Sequence, residues 1–332
     1  MRVFAYEFFS GGGLIGHPLP AGIAREGQMM LRALLQDLSG LRDVEAFTSR
    51  DPRLPAIDGI ETITPAPGED PLAFYARGLA AADAAWPTAP ESGGALERLA
   101  DATIVAGRSL LGSRPAAVCV AASKRATALA LAQAGVAAVP TYRARDLSRP
   151  MPGRWVTKPD DGAGCEDTRL LPDWAAARES LATDPRRLVA QPWIEGEPMS
   201  LSLICHEGTA RLICCNRQQI GIRNGFLSLE RIMVNAFPDS DGVLAALARQ
   251  IAAAVPGLWG YVGVDYIATG SGPVVLEINP RLTTSYCGIR QALGVNVAAE
   301  VLGLLMSRGR AGGFPSTGSG SAVEISFESD HV

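Results

Sequence analysis

Two strand-like runs joined by a short glycine loop constrain the fold of this chain most. Residues 260–268 and 274–281 are rich in Val, Ile and Tyr, as strands are. The intervening loop, Thr-Gly-Ser-Gly-Pro at 269–273, predicts a hairpin. If the hairpin is symmetric about Ser271, Asp265 lies directly opposite Glu277.

The acidic pair on this hairpin requires compensation. Side chains alternate along a strand, so Asn279 shares a face with Glu277. Facing carboxylates repel each other and lose hydration when they are partly buried. Two carboxylates and an amide oxygen are hard ligands, and so small a set suits Mg²⁺, which completes its shell with water and phosphate oxygens. The alternative is an exposed hairpin with a tolerated acidic pair, but the mostly apolar neighbours favour burial.

Composition predicts a globular chain with two or three lobes. Its 332 residues are 47% hydrophobic and 19% charged, and 30 basic against 34 acidic residues give a net charge of −4. With no basic run, nucleic acid is not expected as a partner. The first residues carry an acid where a signal peptide needs an apolar core, and no uncharged apolar run approaches membrane length. We therefore expect a cytoplasmic protein without a membrane partner.

The cysteines and histidines do not suggest nucleophilic catalysis or structural zinc. The six cysteines follow no zinc spacing, so we expect reduced, non-catalytic thiols. A structural reading is preferred for His17, His206 and His331, although His17 could touch a substrate.

The first part of the chain alternates strands and helices, which predicts a small open α/β lobe ending near residue 115. The predicted elements are strands at 2–9, 44–48, 60–63 and 102–106 and helices at 21–38, 72–85 and 96–102.

The rest of the chain reads as α+β lobes with antiparallel sheet. We predict helices at 123–134, closed by Gly135, and at 242–254. Predicted strands before the hairpin are 154–158, 188–191, 199–206, 210–219 and 226–234. The low-complexity run at 312–321 predicts a flexible tail over 311–332.

Two lysines are candidate phosphate ligands. Lys158 ends a predicted strand and precedes Gly162 and Gly164, whose backbone N–H groups could cradle phosphate; an ordinary turn with a solvated lysine is the alternative. Lys124 lies near a helix start, where the macrodipole favours anions. A bound phosphate would resolve that conflict, and so would an earlier helix start.

A hinge is predicted where two strand runs are interrupted by Gln-Pro-Trp-Ile-Glu-Gly-Glu-Pro at 191–198. The prolines leave strand-edge polar groups unpaired, as a hinge that presents its backbone to an adenine ring needs. Trp193 could instead be a core residue.

The loop Gly11–Gly16 fits the G-x-G-x-x-G dinucleotide pattern after a strand. However, Pro18 and Pro20 separate it from the helix, and the second strand ends in Ser49-Arg50 instead of an acid. Arg50 could hold a 2′-phosphate, so an NADP-dependent oxidoreductase stays open as an alternative. We prefer a glycine-rich wall around a substrate.

Five elements occur in order along the chain: Lys124, Lys158-Pro with its glycine loop, the hinge at 191–197, Gly263-Val-Asp265 and Glu277-Ile-Asn-Pro-Arg281. Together they resemble the ATP-grasp superfamily of carboxylate–amine ligases over residues 108–303. The resemblance implies an ATP-grasp fold with an N-terminal pre-ATP-grasp α/β domain at 1–115. A central lobe at 116–190 and a C-terminal lobe with the metal site at 191–310 would follow, and ATP would lie between these two lobes.

The resemblance also implies a role for each matching residue. Lys124, Lys158, Gly162 and Gly164 would hold phosphates, Gln191, Trp193 and Ile194 would frame the adenine, and Glu197 would hold the ribose. Asp265, Glu277 and Asn279 would bind one or two Mg²⁺, and Arg281 would act with Lys158 on the transferred phosphoryl group. The reaction would be ADP-forming amide synthesis through an acyl phosphate, which needs no side-chain nucleophile.

The first lobe is similar to the branch that ligates tyramine to L-glutamate in methanofuran-type cofactor synthesis. The similarity rests on Tyr6 to Gly13, Arg25 to Met29 and Leu34 to Asp37. It implies small-molecule acid and amine partners, bound by Glu7, Ser10, Gly11, Gly12, Gly13, Thr284 and Ser285, and allows a homodimer. Other amino-acid or D-alanine-type ligases and a non-catalytic ATP-binding scaffold are the alternatives.

Overall fold

A five-stranded parallel sheet forms the first lobe. This computed structural model describes residues 1–147, 149–162, 164–185, 187–306 and 320–327. The strands β1 (Arg2–Glu7), β2 (Glu45–Ser49), β3 (Glu61–Ile63), β4 (Ala84–Thr88) and β5 (Ser109–Leu110) lie in the order β3-β2-β1-β4-β5. The helices are α1 (Ala21–Ser39), α2 (Pro71–Ala80) and α3 (Ala95–Val105), with a 3-10 turn at Ser92–Gly94 before α3.

Two sequence predictions in this lobe are wrong. The helix expected at 72–85 ends at Ala80, and the internal strand β4 begins at Ala84. Because β4 is buried along its whole length, its apolar run has no period that distinguishes it from a helix. The strand expected at 102–106 is the last turn of α3, where the Thr103 hydroxyl donates to the Leu99 carbonyl inside the helix.

A second, nine-stranded sheet carries the remaining lobes of the described chain. Helices α4 (Pro115–Ala122) and α5 (Lys124–Gln133) lead into it. Its strands are β6 (Trp155–Pro159), β7 (Arg169–Leu171), β8 (Leu188–Pro192), β9 (Glu197–His206), β10 (Thr209–Arg223), β11 (Phe226–Phe237), β12 (Gly260–Thr269), β13 (Gly272–Asn279) and β14 (Val323–Ser326). The order is β13-β12-β9-β10-β11-β7-β6-β8, with β14 paired to β11. Helices α6 (Trp174–Thr183), α7 (Val243–Ala254), α8 (Tyr286–Leu293) and α9 (Val297–Met306) complete the fold.

The hairpin β12–β13 has the predicted acidic pair, but by a different register. Its loop is the two residues 270–271, because Thr269 pairs with Gly272. A bulge between Asp265 and Tyr266 then shifts the register by one residue, so that Asp265 faces Glu277.

The segment expected to be a flexible tail contains a strand. Residues 311–319 and 328–332, which include His331, lie outside the described residues. Between them, β14 pairs antiparallel with β11, and Val323, Ile325 and Phe327 pack against the core. Alternation of these apolar residues with Glu324 and Ser326 is the strand signal in this stretch.

The first lobe shares a hydrophobic core with the C-terminal part of the chain. Leu31, Leu34 and Leu38 of α1 belong to the same buried cluster as Tyr286 and Val301 of α8 and α9. At the edge of this cluster the Asp37 carboxylate accepts hydrogen bonds from Tyr286 (2.7 Å) and Arg290 (2.9 Å). No helix among the described residues has both the length and the apolar character needed to cross a membrane.

The start of α1 is fixed by close contact with β1. The buried Glu7 carboxylate accepts hydrogen bonds from the Ser10 hydroxyl (2.6 Å) and the backbone N–H groups of Ser10 and Phe9. Burial outweighs these bonds and raises the pKa of Glu7. Gly27 lies directly against this carboxylate, where a Cβ would collide with it.

We predict that Gly27→Ala lowers the free energy of unfolding by about 1–3 kcal/mol, because the new methyl group overpacks the Glu7 contact. The matched control is Gly303→Ala in α9, where the added Cβ meets no heavy atom within 4 Å. The control should gain about 0.5–1 kcal/mol from helix propensity. Chemical denaturation measures both variants, and equal effects would contradict the assigned contact.

Candidate active site

A deep cleft lies between the strands β6 and β8 on one side and β12 and β13 on the other. Both sides contribute residues that the sequence predicted. The cleft is lined by Lys124, Lys158, Gly162, Gly164, Gln191, Trp193, Ile194, Asp265, Glu277, Asn279, Arg281, Thr284 and Ser285, among others. The structure therefore brings together the predicted phosphate, adenine and metal ligands, although the first and the last of them are more than 150 residues apart in the sequence.

The acidic pair occupies the centre of this cleft. Asp265 accepts hydrogen bonds from Asn279 Nδ2 (3.0 Å) and Gln218 Nε2 (2.9 Å). Burial, reinforced by the nearby charge of Glu277, raises the pKa of Asp265 well above its usual range. Burial also acts on Glu277, but the ammonium groups of Lys124 and Lys158 outweigh it and lower the pKa of Glu277.

Both lysines of the chain lie beside this pair. Of 30 basic residues only Lys124 and Lys158 are lysines, and their Nζ atoms lie 3.4 Å and 3.9 Å from Glu277 Oε2. Burial, with the charge of Lys124 nearby, lowers the pKa of Lys158 to about 8. A ligand that brings negative charge next to this ammonium would favour its charged form.

Lys124 is the first residue of α5, and the structure resolves the electrostatic conflict expected there. The Asp160 carboxylate accepts hydrogen bonds from the Arg125 N–H (3.0 Å) and the Ser123 hydroxyl (2.8 Å), and so places an anion at the helix N-terminus. The Lys124 ammonium itself donates to the carbonyl of Gly162. The glycine loop and α5 are therefore linked at the cleft wall.

The glycine loop has an unusual backbone. Gly164, Cys165 and Asp167 have φ values of 62°, 63° and 47°, in the left-handed region that non-glycine residues rarely adopt. Left-handed residues in a turn can direct successive N–H groups to one concave side, as anion-binding loops do. Cys165 lines the cleft here, and burial raises its thiol pKa to about 11, so it is not a ready nucleophile.

The hinge brings its aromatic residue to the cleft and leaves one predicted ligand outside. Gln191 is buried and donates to the Thr141 hydroxyl at 2.8 Å, and the guanidinium of Arg154 lies over the Trp193 ring. Glu197, predicted to hold ribose, is not a lining residue; its exposed carboxylate pairs with Arg217 at 3.4 Å. The neighbouring Pro198 does line the cleft.

Arg281 is held by an acid of the first lobe. Glu91 forms a bidentate ion pair with it, with distances of 2.9 Å to Nε and 3.0 Å to Nη2. Burial alone would lower the pKa of Arg281, but the Glu91 carboxylate outweighs it and raises the pKa. With one further bond to the Leu282 carbonyl, three of the five guanidinium N–H donors have partners among the described residues. The remaining two are available to an anion.

The predicted substrate residues divide into two groups. Thr284 and Ser285 line the cleft, while Glu7, Ser10, Gly11, Gly12 and Gly13 are buried and do not line it. Added Cβ atoms at the three glycines would collide with Glu7, Pro65 and Phe8, so the loop packs against its own lobe. Arg50 donates to Gln28 and to the Pro55 carbonyl inside the lobe, which does not favour a role with a 2′-phosphate.

The sequence analysis missed three residues at this site, namely Gln218, Glu91 and Glu26. Alternation along β10 could have placed Gln218 on the face of the sheet that carries Asp265. Glu91 and Glu26 have no comparable signal, since their partners Arg281 and Thr284 are 190 and 258 residues away in sequence.

The donor set fits Mg²⁺. Asp265, Glu277 and Asn279 offer two carboxylates and an amide oxygen in one cleft. Burial and the neighbouring Glu277 charge both raise the pKa of Asp265, and a divalent cation would stabilise the two charged carboxylates. No group of three or more His, Cys, Asp or Glu residues suited to a metal occurs in the described ranges, so this smaller set depends on further oxygen ligands. Water and phosphate oxygens supply such ligands to Mg²⁺.

Two family models match the chain. Residues 121–285 match an ATP-grasp domain, and residues 44–118 match a pre-ATP-grasp domain. Tyramine–L-glutamate ligase of Methanocaldococcus jannaschii is 37% identical over 100 residues. That alignment covers 30% of this chain and 31% of the relative, so the chain matches less than a third of the relative's length.

Solved structures show the same fold. An ATP-grasp superfamily protein from Archaeoglobus fulgidus superposes with a TM-score of 0.71 at 23% identity, covering 99% of this chain and 100% of that one. An L-amino acid ligase from Bacillus licheniformis superposes with a TM-score of 0.65 at 15% identity, covering 91% and 73%.

We predict that Lys158→Ala weakens ATP binding about 10- to 100-fold, because a charge-assisted contact to phosphate is lost without replacement. Calorimetric titration measures the affinity. The matched control is Arg178→Ala, which removes one exposed positive charge from α6 outside the cleft and should bind ATP normally. An unchanged affinity in Lys158→Ala would show that the loop is an ordinary turn.

Proposed function

We propose that this chain, which belongs to the ATP-grasp superfamily, is an ATP-dependent ligase that joins a carboxylic acid to an amine. The observation that carries the proposal is the arrangement of charge in the cleft. An acidic pair with an amide oxygen lies beside the two lysines, and an arginine follows two residues after Asn279. This set matches a reaction that brings several anions together.

In the first step, the substrate carboxylate attacks the γ-phosphorus of ATP. A bond forms between the carboxylate oxygen and phosphorus, the bond to the β–γ bridging oxygen breaks, and ADP leaves with an acyl phosphate remaining. Lys124 and Lys158 hold phosphate oxygens, and the free donors of Arg281 hold the carboxylate or the transferred phosphoryl group. Asp265, Glu277 and Asn279 would hold Mg²⁺, which when bound neutralises phosphate charge.

In the second step, the amine loses a proton to solvent water and attacks the acyl carbon through its free lone pair. The carbon–nitrogen bond forms, the carbon–oxygen bond to phosphate breaks, and inorganic phosphate leaves. Arg281 can stabilise the departing phosphate with the same donors. No protein nucleophile is needed, and the high pKa of the Cys165 thiol is consistent with that.

We further propose L-glutamate, activated at its side-chain carboxylate, as the acid and tyramine or a close aromatic relative as the amine. The similarity to tyramine–L-glutamate ligase supports this choice, and we propose with it a place in methanofuran-type cofactor synthesis. The Thr284 and Ser285 hydroxyls, which suit the polar ends of an amino acid, also support the choice of substrates, as do apolar side chains such as Leu229 and Ile232 in the same cleft. ATP and Mg²⁺ are the proposed cosubstrate and metal.

We predict that glutamate and tyramine together trigger release of ADP and phosphate, since both steps are needed for turnover. Each substrate alone and D-alanine pairs serve as controls. Use of alanine pairs with inert glutamate would refute the substrates but keep the ligase. Binding of Mg-ATP without turnover for any acid and amine would instead indicate a scaffold. A thermal shift with NADP and none with ATP would indicate an oxidoreductase.

We predict that Asp265→Asn and Glu277→Gln each reduce turnover at least about 100-fold with the fold intact, because each removes charge at nearly constant shape. Glu207→Gln, at the exposed β9–β10 turn, is the control and should be fully active. Circular dichroism checks the fold. Near-normal activity of both site variants in Mg²⁺ would refute the metal assignment.

A further inference from the structure

One acid in the cleft has no role in the mechanism above. Glu26 is the sole lining residue from positions 1–115 among those described, and it lies near the start of α1. Its carboxylate accepts a hydrogen bond from the hydroxyl of Thr284, which also lines the cleft. Because Gly27 is fixed against the Glu7 carboxylate, the position of Glu26 is set by the packing of α1 on β1.

The charges around Glu26 favour a cationic ligand. Glu91 and Glu26 both act electrostatically on Arg281, and Glu91 already forms the bidentate pair with it. These three side chains together carry a net charge of −1 at neutral pH. By contrast, Lys124 and Lys158 balance the acidic pair at the nucleotide end.

We propose that Glu26 binds the ammonium group of a substrate, with Thr284 orienting its carboxylate. The inference rests on the proposed ligase function and adds to it a specificity-determining residue. Both substrates can supply this group, since an amino acid carries an α-ammonium and an alkyl amine is protonated at neutral pH. A carboxylate paired with an ammonium donor forms a charge-assisted hydrogen bond that glutamine cannot match.

The test is Glu26→Gln, with the KM of each substrate measured by ADP release. We expect the KM of one ammonium-bearing substrate to rise about 10- to 100-fold, because a charge-assisted contact is lost. The KM of ATP should stay within about twofold, since Glu26 does not contact the nucleotide end. Glu26→Asp, which keeps the charge on a shorter side chain, should fall between wild type and Glu26→Gln. Thr284→Val should show a smaller rise than Glu26→Gln for the same substrate.

Two arms distinguish the source of the ammonium group. Glutarate lacks the α-ammonium of glutamate, so a KM that rises for glutamate and not for glutarate identifies the acid. Hydroxylamine is neutral near pH 7.5 and can trap the acyl phosphate as a hydroxamate. If the variant loses affinity for tyramine and keeps its hydroxamate rate, the amine supplies the ammonium group.

The control is Asp101→Asn, which removes one exposed negative charge from α3 of the same lobe and should leave every KM unchanged. Unchanged KM values for both glutamate and tyramine in a folded Glu26→Gln variant would overturn the proposal. An equal loss with glutarate and hydroxylamine used together would also overturn it, because neither of these two substrates carries an ammonium group near that pH. Failure of the wild-type chain to release ADP with any acid and amine would instead overturn the ligase function on which the inference depends.

Discussion

The ion pair between Arg281 and Glu91 is the interaction on which the acceptor end of the cleft depends. It joins the end of β13 to the turn before α3, and both side chains are largely withdrawn from water. A buried pair of this kind gives little net stability, because two charges are desolvated to form it. Its consequence is geometric. The bidentate contact fixes the plane of the guanidinium and directs its two unused donors, which makes a flexible side chain a preorganised anion site.

The chain uses lysine and arginine for different purposes. Its two lysines both stand at the acidic pair, whereas arginines supply the other basic side chains, including the one clamped by Glu91. A compact ammonium on a flexible stem can follow phosphate oxygens that change position as a phosphoryl group is transferred. A planar guanidinium is better where a carboxylate must be held in one orientation. The side-chain chemistry of the cleft therefore divides it into a nucleotide end and an acceptor end.

Local sequence patterns identified many of the residues that line the nucleotide end of the cleft, because these residues lie on a few short segments. The strand ending in Lys158, the hinge and the hairpin each bring predicted ligands to the cleft, although Glu197 of the hinge does not line it. The hairpin shows a limit of prediction from local sequence. The Asp265–Glu277 pair was expected from a symmetric loop, whereas the structure forms it with a shorter loop and a bulge. Bulges and long-range partners have no local period. For that reason Glu91 and Glu26 could not be found from the sequence. The strand β4 was taken for helix because it is buried at every position and shows no alternation.

The misassigned Glu7 shows how the first lobe contributes to the site without entering it. Glu7 was expected to bind a substrate, yet its carboxylate is buried against Gly27 and accepts hydrogen bonds from the loop that follows β1. Glu7 influences the site indirectly, through its contact with Gly27. That contact fixes the first turns of α1 and therefore the position of Glu26, the residue before Gly27. Further along, α1 shares a core with α8 and α9, and Asp37 accepts bonds from Tyr286 and Arg290. The acceptor end is thus built on one continuous core. By contrast, the strands β6, β7 and β8 join the rest of the described sheet through a single ladder pair, which Arg169 of β7 forms with Phe226 of β11.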